Sequence, residues 1–177
     1  MASIRKANFN ASLNRNSAGE LIGDLSAPDD EQAQAVAQII QIVNPDVLLI
    51  NEFDFDPNGI AQTLFGDNYL SVWYSLPTGE ETTPVEYPFF YLAPSNTGVA
   101  SGFDLENNGE IVTTPGELGY GNDAFGFGNF PGQFGMLLLS KFPIIDDQVR
   151  TFQDFLWQDM PGALLPDNPE TPAPNDW

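Results

Sequence analysis

A chain of 177 residues has room for one domain with a real hydrophobic core. Five basic residues face 25 acidic ones, giving a formal net charge of -20, so a long duplex nucleic acid would be repelled rather than held through its phosphates. Histidine and cysteine are both absent, which removes imidazole chemistry, disulfides and thiolate metal sites.

The N-terminal MASIRKANF lacks the apolar core of a signal peptide. Ile4–Ala11 reads as a strand, with Ile4 opening an alternation through Lys6, Asn8 and Asn10. Asn14–Leu25 is polar and reads as a loop. Pro28, Asp29 and Asp30 suit a helix start, where negative charge meets the exposed N–H groups. In Glu31–Val43, residues Val36, Ile39, Ile40 and Val43 fall on one helical face, and Asn44-Pro45 ends the helix. Asp46–Asn51 is short and apolar, as a strand covered on both sides should be. This β-α-β opening implies parallel strands joined by one crossover. Both strands then end at the same sheet edge, the edge where α/β proteins bind ligands, and Asn10 and Glu52 stand at those two ends.

Residues 53–133 are rich in loops, with a further strand expected at Tyr69–Ser75. Tyr87–Leu92 reads as a strand or as a loop packed on the core, and Phe134–Ser140 as a strand. Phe152, Phe155, Leu156 and Trp157 suit a short amphipathic helix. The apolar runs Val47–Ile50 and Met136–Leu139 are far too short to cross a bilayer. Residues 1–160 are expected to form one domain, and 161–177, with five prolines, an extended tail.

Candidate chemistry centres on oxygen ligands. Glu52 directly follows four apolar residues and an Asn, and a carboxylate beyond a buried strand suits Mg²⁺ or Mn²⁺, which take one or two carboxylates and keep several waters. The bland alternative is a solvated acid at a strand end. The Asn10 amide could orient a phosphate or a neighbouring ligand, or simply bond to backbone. Asp54, Asp56 and Asn58, followed by Gly59, match the opening of a D-x-D-x-N-G calcium loop, though Phe65 stands where the bidentate Glu belongs. Asp104, Glu106 and Asn108, followed by Gly109, are a looser second copy. Both stretches also read as ordinary Asx and Gly turns. Gly119–Ala124 fits a relaxed dinucleotide fingerprint, but neither a strand before it nor a helix after it is expected. The glycine-rich Gly126–Gly135 lacks the Lys and Ser/Thr of a phosphate loop.

Three segments together, FNASLNR with Asn10, PDVLLINEFD with Glu52 and GMLLLSKFPI at Gly135–Ile144, resemble the endonuclease/exonuclease/phosphatase superfamily, whose fold is the deoxyribonuclease I-like type. The order and spacing of the motifs agree over residues 4–145. The resemblance implies a mixed-sheet α/β sandwich, of which this chain covers the first half of four layers. It also implies a Mg²⁺- or Mn²⁺-dependent phosphoester hydrolase, in which Glu52 holds the metal and Asn10 supports the phosphate. The superfamily's G-D-x-N and S-D-H type motifs are absent, so the chain looks incomplete and weakly active or inactive alone. The acidic balance favours a small or metal-complexed phosphoester. The closest likeness is to large, acidic bacterial members; the compartment is unknown, and the expectation leans to an extracellular or periplasmic one. The alternative reading is a non-catalytic calcium-binding or assembly module. Half a sandwich leaves an apolar sheet face bare, which a partner chain or a second copy would cover.

Overall fold

The helix expected from Glu31 to Val43 forms over those residues, and its ends show why. Asp30 stays outside the helix, and its carboxylate accepts from the Ala33 N–H at 2.7 Å, a cap of a kind worth about 1 kcal/mol. Asn44 adopts a left-handed conformation (φ 48°), its N–H donating to Ile40 O at 2.7 Å, and Pro45 follows. The computed structural model describes residues 3–164. It divides the chain into a compact unit, Met1–Asp146, and a smaller one, Asp147–Trp177.

Strand β1 is Lys6–Leu13, α1 is Glu20–Leu25 and α2 is Glu31–Val43; β2 is Val47–Phe53, α3 is Ile60–Phe65, β3 is Phe89–Leu92 and β4 is Met136–Ser140. The sheet order is β1-β2-β4-β3. β1 and β2 are parallel, whereas β4 runs antiparallel to both of its neighbours. The fold is α/β with a mixed sheet, in keeping with the deoxyribonuclease I-like type.

Successive residues of a strand face opposite ways. Leu48, Ile50, Leu137 and Leu139 therefore share one face and are buried beneath Val36, Ala37 and Ile40 of α2, with Leu21, Leu25 and Phe65 in the same core. The opposite face carries Asn8, Asn10, Leu49, Asn51, Met136 and Leu138, set side by side by the register. Among the described residues of this unit no second sheet covers it.

Four local readings are corrected. Asn14–Leu25 is not all loop, because Leu21 and Leu25 drive a short helix into the core. Tyr69–Ser75 is not a strand: α3 continues as a π turn, Gly66–Leu70, which carries Tyr69 under Phe65 at a ring distance of 6.0 Å. The buried face of α2 is Ala33, Val36, Ala37, Ile40 and Gln41; Ile39 and Val43 turn outward and line an apolar cleft with Ala7, Phe9 and Pro45. β1 starts later than expected and runs past Asn10 to Leu13.

In the smaller unit, Trp157–Asp159 forms a single 3₁₀ turn and Phe152 meets Phe155 edge to face; these side chains are exposed. Most of the expected tail, residues 165–177, lies outside the described residues. Among the described residues no helix is long and apolar enough to cross a membrane.

The two sheet faces predict opposite mutational costs. Leu137 is fully buried and Met136, its neighbour in β4, is 50% exposed. Leu137→Ala should cost about 2–5 kcal/mol through lost burial and a residual cavity, and Met136→Ala about 0.5 kcal/mol or less. Urea unfolding midpoints measure both, and equal losses would contradict the assignment of faces.

Candidate active site

Parallel pairing sets Asn10 opposite Asn51 and brings the ends of β1 and β2 together. The Asn10 amide Nδ2 donates to Glu52 Oε1 at 2.7 Å. The residues singled out at the two strand ends are thus direct neighbours.

The backbone at this edge is unusual. Pairing passes from Asn10 opposite Asn51 to Leu13 opposite Phe53, so β1 carries one residue more than β2 across the step. Ser12 within that bulge has φ 52°, and Glu52 across from it has φ 58°. Left-handed backbone at a non-glycine residue costs roughly 1–3 kcal/mol and persists only where the surroundings hold it.

The bulge delivers a residue that the sequence reading passed over. Asn14 Nδ2 donates to Glu52 Oε2 at 3.2 Å and lies 3.4 Å from Ser12 Oγ. Glu52 is thus held by one amide on each oxygen while remaining half-exposed. A motif search misses Asn14 because its position depends on the extra residue in β1; the run Asn8, Asn10, Asn14 is the one signal that could have drawn attention to it.

Asp54 and Asp56 take backbone N–H groups. Asp54 is buried, and its carboxylate accepts from Arg15 N at 2.7 Å and from Phe134 N at 3.1 Å, joining the loop after β1 to the approach to β4. Asp56 accepts from Asn58 N at 2.9 Å, from Ala61 N at 3.1 Å and from Ile60 N, capping α3. Asn58 is exposed. The two carboxylates serve different backbone groups. In the second loop, Asp104 accepts from Asn108 N at 3.1 Å and Gly109 N at 2.8 Å, while Glu106 accepts from the amides of Asn108 and Asn122 at 2.6 and 2.7 Å. Among the described residues no group of three or more His, Cys, Asp or Glu is placed to hold a metal ion. The donor set at Glu52 fits a hard cation that keeps most of its waters; it does not form a protein cage.

Around the site the loops are locked. The Arg15 guanidinium meets Asp24 at 2.5 Å and Asp30 at 3.3 Å. Gln133, buried in the glycine-rich loop, donates to Arg15 O at 2.5 Å and accepts from Asn129 N at 2.6 Å. That loop approaches β2 so closely that a Cβ on Gly135 would stand 2.7 Å from Phe53 O. The Gly119–Ala124 stretch holds a 3₁₀ turn, Tyr120–Asp123, around buried Tyr120.

Burial pushes the Asp54 carboxyl up to about 6, the N–H groups of Arg15 and Phe134 opposing the shift. A raised carboxyl binds its proton more tightly in the folded chain than in the unfolded one. Its contribution to stability is therefore fully present below about pH 4 and lost as pH rises through 6. Asp54→Asn should remove that component. Between pH 4 and 6.5 the wild type should lose more stability than the variant in parallel urea titrations; equal slopes would count against it.

The model of the Endonuclease/Exonuclease/phosphatase family matches residues 7–176. No curated protein and no solved structure matches the chain. The family match takes in both strand ends, the bulge between Asn10 and Leu13 and all of β4, and the chain belongs to the endonuclease/exonuclease/phosphatase family.

Proposed function

We propose that this chain is a metal-dependent phosphoester hydrolase acting on a small phosphoester, and that it turns over slowly by itself. The observation that carries the reading is the half-exposed Glu52 carboxylate held between two neutral amides at the shared end of β1 and β2. Glu52 would hold Mg²⁺ or Mn²⁺, which when bound stabilises charge on phosphoryl oxygens and favours attack by water. Asn10 keeps the carboxylate oriented. Its own Oδ1 accepts from Ser12 N at 3.1 Å, which fixes the amide with its N–H groups toward Glu52. Among the described residues no histidine can serve this pair as general base, the chain having none, and Asp54 and Asp56 are engaged with backbone N–H groups. A positioned acid or base contributes roughly 10²–10⁴-fold, so slow turnover is the corollary. The charge of -20 favours a small or metal-complexed substrate over long duplex nucleic acid.

A second reading, an assembly module, is favoured by the uncovered sheet face, where Met136 is 50% and Phe89 37% exposed. A partner chain or a second copy would cover it. Sedimentation velocity that shows a monomer at every concentration and no partner species would count against it. No calcium role is proposed for Asp104, Glu106 and Asn108, whose oxygens accept from N–H groups of their own loop and from the Asn122 amide.

Hydrolysis of bis(p-nitrophenyl) phosphate tests the enzyme reading. Slow turnover should require Mg²⁺ or Mn²⁺, vanish with EDTA and fall to the uncatalysed background in Glu52→Gln. Turnover that survives EDTA or the Glu52 substitution would sink the proposal.

A further inference from the structure

Glu52 has about four lone-pair positions on its carboxylate. Asn10 fills one on Oε1 and Asn14 one on Oε2. The two amides lie on either side of the bulge in β1, so one distortion of the strand supplies both. We infer that Asn14 is a positioning residue, which holds the Glu52 carboxylate in place for a divalent cation; the inference rests on the metal-dependent reading above.

Three observations support the role. First, the peptide group that follows Asn14 is held at both its carbonyl and its N–H. Its carbonyl accepts from the Arg15 guanidinium at 3.0 Å, and the next N–H, that of Arg15, is fixed on Asp54 at 2.7 Å. A side chain anchored this way can restrict its neighbour rather than follow it. Second, the left-handed backbone of Glu52 aims its side chain back across β1, a conformation that the two amide bonds help to hold. Third, the clamp is neutral. A Lys or Arg in this position would compete with a cation for the same carboxylate, whereas an amide orients the carboxylate and leaves its full charge available. Groups that orient a metal ligand without touching the metal typically change affinity by 10–100-fold when removed.

The test is Mn²⁺ binding followed by electron paramagnetic resonance, on wild type, Asn14→Leu and Asn14→Asp. Leu keeps the γ-branched shape and removes the donor, and affinity should fall about tenfold. Asp keeps the shape and sets a second carboxylate beside Glu52, so affinity should rise, since hard cations gain from added carboxylates. Opposite signs are the signature, because a purely structural Asn14 would make both variants weaker in step with their melting temperatures. Broadening of the Asn10 side-chain amide signals by Mn²⁺ in the wild type would place the ion at this edge. If Asn14→Leu fails to fold, the isosteric Asn14→Asp decides alone. A wild type with no saturable Mn²⁺ binding would overturn the metal reading and this inference together. Wild-type binding that neither variant alters, or that both weaken in proportion to lost stability, would overturn the role of Asn14 only.

Discussion

Parallel pairing of β1 and β2 is the constraint on which the site depends. Two parallel neighbours cannot be joined by a tight turn; a crossover must return the chain to the same end of the sheet. Here α2 makes that return and buries its apolar side on the sheet it crosses. The geometric consequence is that residues far apart in sequence, such as Asn10 and Glu52, arrive at one edge without any contact having selected them individually. Antiparallel β4 then closes the other side of β2 and brings the glycine-rich loop to the same edge. The candidate site is gathered there by topology, and refined by one extra residue in β1.

Precision at that edge comes from backbone acceptors and donors used as anchors. The Asp54 carboxylate holds two N–H groups from separate loops, Gln133 reaches the Arg15 carbonyl, and the Arg15 side chain binds the start of α2 and the body of α1. Breaking one member of such a buried network leaves its partners unpaired, which costs more than the bond itself contributes. The same economy explains the acids of the D-x-D-x-N-G stretch. Its carboxylate oxygens take backbone N–H groups, Asp56 those that begin α3 and Asp54 those that tie down two loops.

The legible parts of the chain were those with local causes. Asp30 at the start of α2 and Asn44-Pro45 at its end act within one turn, and the apolar stretch of β2 is bounded by a proline and a carboxylate; these were readable from sequence. Elements decided by distant packing were not. Glu20–Leu25 contributes two buried leucines on either side of Gly23, too few for a periodic signal. Tyr69 and Leu70 have strand-like composition but are drawn into a π turn by Phe65 and the core below it. Ile39 and Val43 belong to a plausible helical stripe, yet the sheet meets α2 through Ala33 and Ala37, whose small side chains allow the approach. In the site, Asn10 and Glu52 were visible as strand ends. Asn14 was not, because a single inserted residue at Ser12 decides where it points.

The bare sheet face and the charge of -20 make opposing demands. Apolar side chains such as Met136 and Phe89 favour contact between molecules, while the acidic surface holds them apart at long range. That repulsion is a property of the solvent as much as of the protein. It reaches about 8 Å at physiological ionic strength and about 3 Å at 1 M salt, whereas the attraction of apolar surfaces is not screened. Concentrated salt should therefore weaken the repulsion between copies while leaving the attraction between their sheet faces in place.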